Sequence, residues 1–104
     1  MKSLLLQHVD DAIELKKTFF AREVDHIVAQ AADMAERLKR GCRILVCGNG
    51  GSAGTASHFV CDIVKGCSFN RPKRFRMMSL NDNLATLTAY SNDVSYDCVF
   101  VEQL

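Results

Sequence analysis

The sequence predicts an α/β fold, a doubly wound parallel sheet preceded by N-terminal helices. Three observations carry this reading: apolar residues at helical spacing across residues 1–40, an apolar strand that runs into a glycine-rich bend and a helix, and a second strand after a proline-containing loop. In chain order, Leu5, Val9, Ala12, Ile13, Leu15 and Phe19 recur near helical spacing, and Val24, Ile27, Val28, Ala31, Met34, Ala35 and Leu38 continue the stripe, as one long helix or two in tandem. Lys39 and Arg40 suit the negative end of the helix dipole, and Gly41 suits the C-terminal cap. Arg43 to Cys47 reads as the first strand, and Ile44, Leu45 and Val46 have the continuous apolar pattern of a strand buried on both faces. A helix opening at Ser52 supplies the crossover, with Ala56, Phe59, Val60 and Ile63 facing the sheet. Pro72 marks a loop, Phe75 to Ser79 a second strand, Asn83 to Tyr90 a short helix, and Ser91 to Asp97 a polar bend. Val99, Phe100 and Leu104 begin a further helical stripe.

Two parallel strands leave unpaired edges and little covering layer, so these residues are expected to be the first half of a larger domain whose C-terminal part is missing. The apolar stripes of the N-terminal helices predict homo-oligomerisation. A chain of 104 residues with 48% apolar content allows one soluble domain, and a net charge of +1 gives no reason to expect a nucleic-acid partner. The first residues lack the apolar core of a signal peptide and no stretch is long enough to span a bilayer, so the expected compartment is cytoplasmic, with no membrane partner. Cys42, Cys47, Cys61, Cys67 and Cys98 are odd in number and contain no CxxC pair, which disfavours a disulfide framework or zinc ribbon and predicts reduced, mostly buried thiols.

Function is sought in CGNGGSAGTASHFVCDIV, from Cys47 to Val64. Successive N–H groups in a glycine-rich bend, joined to the positive end of a helix dipole, form a site for a phosphate or other anion. Gly48, Gly50 and Ala53 also satisfy GxGxxA, but the carboxylate that would hold a nucleotide ribose is expected about 20 residues on, and Asp82 comes late for it. A Walker loop lacks its GK[ST], so no nucleotide cofactor is expected. A tight turn with no ligand would need only the glycines, whereas Asn49 and Ser52 add donors. His58 and Asp62, four residues apart, project from one helix face beside Thr55 and could share a metal, supply acid/base groups, or form an ordinary ion pair. Arg71, Lys73, Arg74 and Arg76 form a basic cluster that is either a solvated loop or a grip for a phosphate or acidic partner. His8 and His26 lie away from these motifs, and Cys47 reads as a small apolar residue.

GNGGSAGTASHFVCDIVKG, then NRP, a strand ending in SLND, and YSNDVSYDCVFVEQL together resemble the sugar isomerase (SIS) domain family, in its phosphoheptose isomerase group. The resemblance implies a flavodoxin-like parallel sheet flanked by helices, residues 1–40 as an N-terminal oligomerisation segment of a homotetramer, and residues 41–104 as the first half of the SIS domain. It implies interconversion of sedoheptulose 7-phosphate and a glycero-manno-heptose 7-phosphate, with Asn49, Gly50, Gly51, Asn92 and Asp93 contacting the sugar phosphate and Ser52 at the phosphate end. His58 and Asp62 match metal-ligand positions, often zinc, and Asp62 is the candidate catalytic base where the family has a glutamate. Aspartate is one methylene shorter, and the family's second phosphate loop and later metal ligands would lie beyond Leu104, so the isolated chain is expected to be a poor enzyme. A non-catalytic SIS module, either a DnaA-binding replication factor or a sugar-phosphate sensor, is the alternative.

Overall fold

The computed structural model describes residues 1–104 and contains two compact units, Met1–Ala35 and Glu36–Leu104. The apolar periodicity of the N-terminus resolves into a single uninterrupted helix, α1 (Lys2–Arg40). Within Met1–Ala35, Leu5, Val9, Ile13, Phe20, Val24 and Ile27 lie along one stripe and are all solvent-exposed. No helix is long and apolar enough to cross a membrane.

In the second unit the helix stops where its composition says it should. Gly41 takes a positive φ of 87°, its N–H donates to the Leu38 carbonyl, and the Cys42 N–H donates to the Arg37 carbonyl, which closes the last turn. Strand β1 (Arg43–Val46) pairs in parallel with β2 (Arg76–Ser79), joined by helix α2 (Gly51–Cys61) and a π-helical segment (Asp62–Cys67). Register runs from Arg43 opposite Arg76 to Val46 opposite Ser79. Helix α3 (Leu84–Asp93) and two single 3-10 turns, Tyr96–Cys98 and Val101–Gln103, complete the chain. The core is small: Leu38, Ala56, Met77, Leu80 and Val99 are the buried apolar side chains.

Several expectations are corrected. The first strand is not buried on both faces: Ile44, Leu45 and Val46 are only half-buried, because α2 and one neighbouring strand cover them incompletely. Phe59 is exposed at 37%, while Ala56 packs inward and Val60 and Ile63 are half-buried. The thiols are free, as expected, but Cys42, Cys47, Cys61 and Cys67 are exposed and Cys98 is half-buried, for the same lack of cover. Phe75 stays outside β2 because its N–H donates to the Ser68 hydroxyl, 2.8 Å, rather than to the ladder. Asn83 is the N-cap of α3, its side chain accepting the Thr86 N–H at 3.1 Å. That helix runs on through Ser91, Asn92 and Asp93, which were expected in a bend, and ends where the Val94 and Ser95 N–H groups both donate to the Tyr90 carbonyl.

Candidate anion-binding bend

The bend between β1 and α2 owes its shape to two glycines. A Cβ on Gly48 would stand 2.4 Å from the Ser52 carbonyl carbon, so only glycine lets the chain turn so tightly onto the helix. Gly50 has φ 55° and ψ −121°, a region closed to other residues. The Ser52 N–H donates to the Asn49 carbonyl at 3.0 Å, and the Ala53 N–H to the Gly50 carbonyl at 3.1 Å, which starts α2 one residue before Ser52.

The N–H groups of the bend then divide into two sets. Gly48 turns inward and donates to Asn81 Oδ1 at 2.9 Å, while Asn81 Nδ2 donates back to the Gly48 carbonyl at 2.7 Å. Asn49, Gly50 and Gly51 have N–H groups with no acceptor in the chain, at the N-terminus of a helix whose dipole adds positive potential. Tyr96 reaches across from the first 3-10 turn and donates its hydroxyl to Asn49 Oδ1 at 2.8 Å, which leaves the Asn49 NH2 as the outward donor. Ser52 and Thr55, with Val46, Cys47, Ala56 and Phe59, line a depression of about 310 Å3 beside the bend. The free amides can take an oxyanion, and Ser52 and Thr55 are the hydroxyl-bearing side chains of the otherwise mainly apolar depression.

The remaining sequence candidates are placed apart from that depression. His58 Nδ1 and Asp62 Oδ2 lie 3.2 Å apart with side chains 76% and 63% exposed, the geometry of a surface i,i+4 pair. Neither lines the depression beside the bend. Asn92 Nδ2 donates to Asp93 Oδ1 at 2.8 Å at the end of α3, and Asp93 lines a separate depression of about 380 Å3 with Thr86, Ala89, Tyr90 and Val94. One imidazole and one carboxylate fall short of the three protein ligands of a catalytic zinc, and no group of three His, Cys, Asp or Glu side chains gathers anywhere in the chain. These residues by themselves do not fit a zinc site. Three of the four cations in the basic cluster serve the fold: Arg71 Nε donates to the Cys67 carbonyl, Arg74 to the Val64 carbonyl and Lys73 Nζ to the Arg40 carbonyl. Arg71 and Arg74 also lie 4.8 and 5.9 Å from the ring centres of Phe75 and Phe69.

Asn81 and Tyr96 are the residues that reading the sequence for sites missed. Asn81 had a signal: it stands two residues beyond the end of a strand parallel to the one that feeds the bend, hence at the same sheet edge. Tyr96 had none, because its contact spans 47 positions and depends on where α3 ends.

A family model described as the SIS domain matches residues 7–104. The phosphoheptose isomerase of Nitratidesulfovibrio vulgaris is 33% identical over 103 residues, covering 99% of this chain and 49% of the relative. That of Solidesulfovibrio magneticus is 36% identical over 101 residues, 97% of this chain and 49% of the relative. The solved structure of the phosphoheptose isomerase from Neisseria gonorrhoeae superposes with a TM-score of 0.85 at 29% identity, over 98% of this chain and 52% of that one. The chain spans about half the length of the curated relatives it matches.

Proposed function

This chain belongs to the SIS domain family, and on that footing we propose that it supplies the substrate-binding bend of a heptose-phosphate isomerase acting on sedoheptulose 7-phosphate. The observation that carries this reading is the set of free amides on Asn49, Gly50 and Gly51 at the head of α2, held beside the unpartnered hydroxyl of Ser52. In the proposal the amides and Ser52 take the phosphate, and Asn92 and Asp93 contact the sugar from the end of α3.

Isomerisation between aldose and ketose removes a proton from the carbon beside a carbonyl and returns one to the adjacent carbon. Asp62 is assigned as the base, with His58 holding its carboxylate. A zinc ion at His58 and Asp62 would need its remaining ligands from residues outside this chain, and no step here depends on it. The exposed stripe on α1 supports assembly as a homo-oligomer, a tetramer in this proposal, which light scattering would test by showing a single species larger than the monomer.

Asp62, one methylene shorter than the glutamate of the family pattern, favours one second reading, a non-catalytic SIS module that senses a sugar phosphate or docks on the replication initiator DnaA. Sedoheptulose 7-phosphate in deuterated buffer separates the two. Shifts of the Asn49, Gly50 and Gly51 amide signals with deuterium entering the sugar beside its carbonyl support the isomerase. The same shifts without exchange support the sensor, and no shift at those amides refutes the anion-site assignment.

A further inference from the structure

We propose that Asn81 is the positioning residue of the bend: without touching the ligand, it sets the direction in which the amides of Asn49, Gly50 and Gly51 point. The inference rests on the reading of those amides as the ligand site. Residues paired between β1 and β2 stand 33 positions apart, and so do Gly48 and Asn81. The backbone ladder continues for one further bond, from the Leu80 N–H to the Val46 carbonyl at 2.9 Å. At Gly48 the chain has to leave the ladder to turn into α2, and there the Asn81 carboxamide takes over as a planar group with one donor and one acceptor, imitating the missing peptide.

Asn81 is itself held. Its N–H donates to Ser79 Oγ at 3.2 Å, Ser79 is 4% exposed, and Ser57 Oγ of α2 lies 3.5 Å from the same hydroxyl while also donating to Asp82. A continuous polar chain therefore runs from the second turn of α2 through the end of β2 to Gly48. It fixes the inward amide of the bend, and the three that follow are left facing outward. An aspartate at 81 could accept from the Gly48 N–H but not donate to its carbonyl, and an alanine could do neither.

The test titrates the chain and its Asn81→Ala and Asn81→Asp variants with sedoheptulose 7-phosphate, following the amide signals of Asn49, Gly50 and Gly51 well below the unfolding temperature. The expected result is a dissociation constant raised about tenfold in both variants, as loss of a bond to a partly buried backbone group implies. The Gly48 amide signal should move in the alanine variant and hold in the aspartate variant, whose carboxylate still accepts from it. Variants that melt earlier but bind like the parent chain would show that Asn81 only stabilises the fold, and would overturn the proposal. If Asn81→Ala does not fold, Asn81→Ser replaces it in the same titration, being too short to bridge the Gly48 N–H and carbonyl and adding no charge beside the anion site. A parent chain whose three amides ignore the sugar phosphate refutes the ligand site itself, a result distinguishable from binding that survives in the variants.

Discussion

Replacing Gly48 by alanine tests whether close approach shapes the bend. The added methyl carbon would meet the Ser52 carbonyl carbon and oxygen at 2.4 Å and the Ala53 nitrogen at 2.8 Å, where ordinary contact begins near 3.4 Å. Relief requires the first turn of α2 to withdraw by about 1 Å from the end of β1. Overpacking costs ~1–3 kcal/mol when side chains can give way. The obstructing atoms here are main chain, so the upper figure applies. At ~4–8 °C per kcal/mol for a domain of this size, Tm falls by roughly 12 °C or more. Two neighbouring glycines are the controls. Gly50→Ala meets no atom within 4 Å but must hold a φ of 55°, a strain of ~1–3 kcal/mol. Gly54→Ala also meets none, lies inside α2 with ordinary φ, and should stabilise by ~0.5–1 kcal/mol. Urea unfolding followed by circular dichroism should therefore rank Gly54→Ala above the parent chain and Gly48→Ala well below it. A Gly48→Ala chain within ~0.5 kcal/mol of the parent would refute the argument, since that is the scatter of ordinary surface changes.

Tyr96→Phe removes the donor that turns Asn49 Oδ1 inward, and should weaken sugar-phosphate binding by ~3–10-fold in the amide titration while leaving the helix content of the circular dichroism spectrum unchanged. Asn83→Ala deletes the side-chain cap of α3 and should lower unfolding free energy by ~1 kcal/mol, with Asn83→Asp restoring most of it in the same urea assay. Timed alkylation with mass readout should modify Cys42, Cys47, Cys61 and Cys67 of the native chain before Cys98, which is half-buried and donates to the Ser95 carbonyl; simultaneous modification of all five would contradict the fold around Val99.

Elements whose formation depends on local chemistry were legible in the sequence. The stop at Gly41, the strand before the bend and the second strand after Pro72 each follow from backbone rules that act over a few residues. What was misjudged depends on partners distant in sequence. An apolar triplet such as Ile44–Val46 tells which residues seek cover, but the cover comes from other layers, and here it is partial. The cysteines were misplaced for the same reason. In the candidate site, the glycines and the His58–Asp62 pair were visible because both follow from local spacing. The clamp from Asn81 required the register of two strands, which only the assembled sheet supplies. The end of α3 was misread because Ser91, Asn92 and Asp93 favour turns on their own, whereas the hydrogen bonds to the Tyr90 carbonyl carry the helix past them.

Ser68 is fully buried, and its hydroxyl receives the Phe75 N–H, so the segment between them leaves and re-enters the domain through one narrow neck. Strand pairing and the Asn81 clamp lie wholly outside that excursion. The tip around Asn70, where the backbone adopts φ 59°, is accordingly a natural place to splice in a reporter peptide or an affinity handle without displacing the glycine bend.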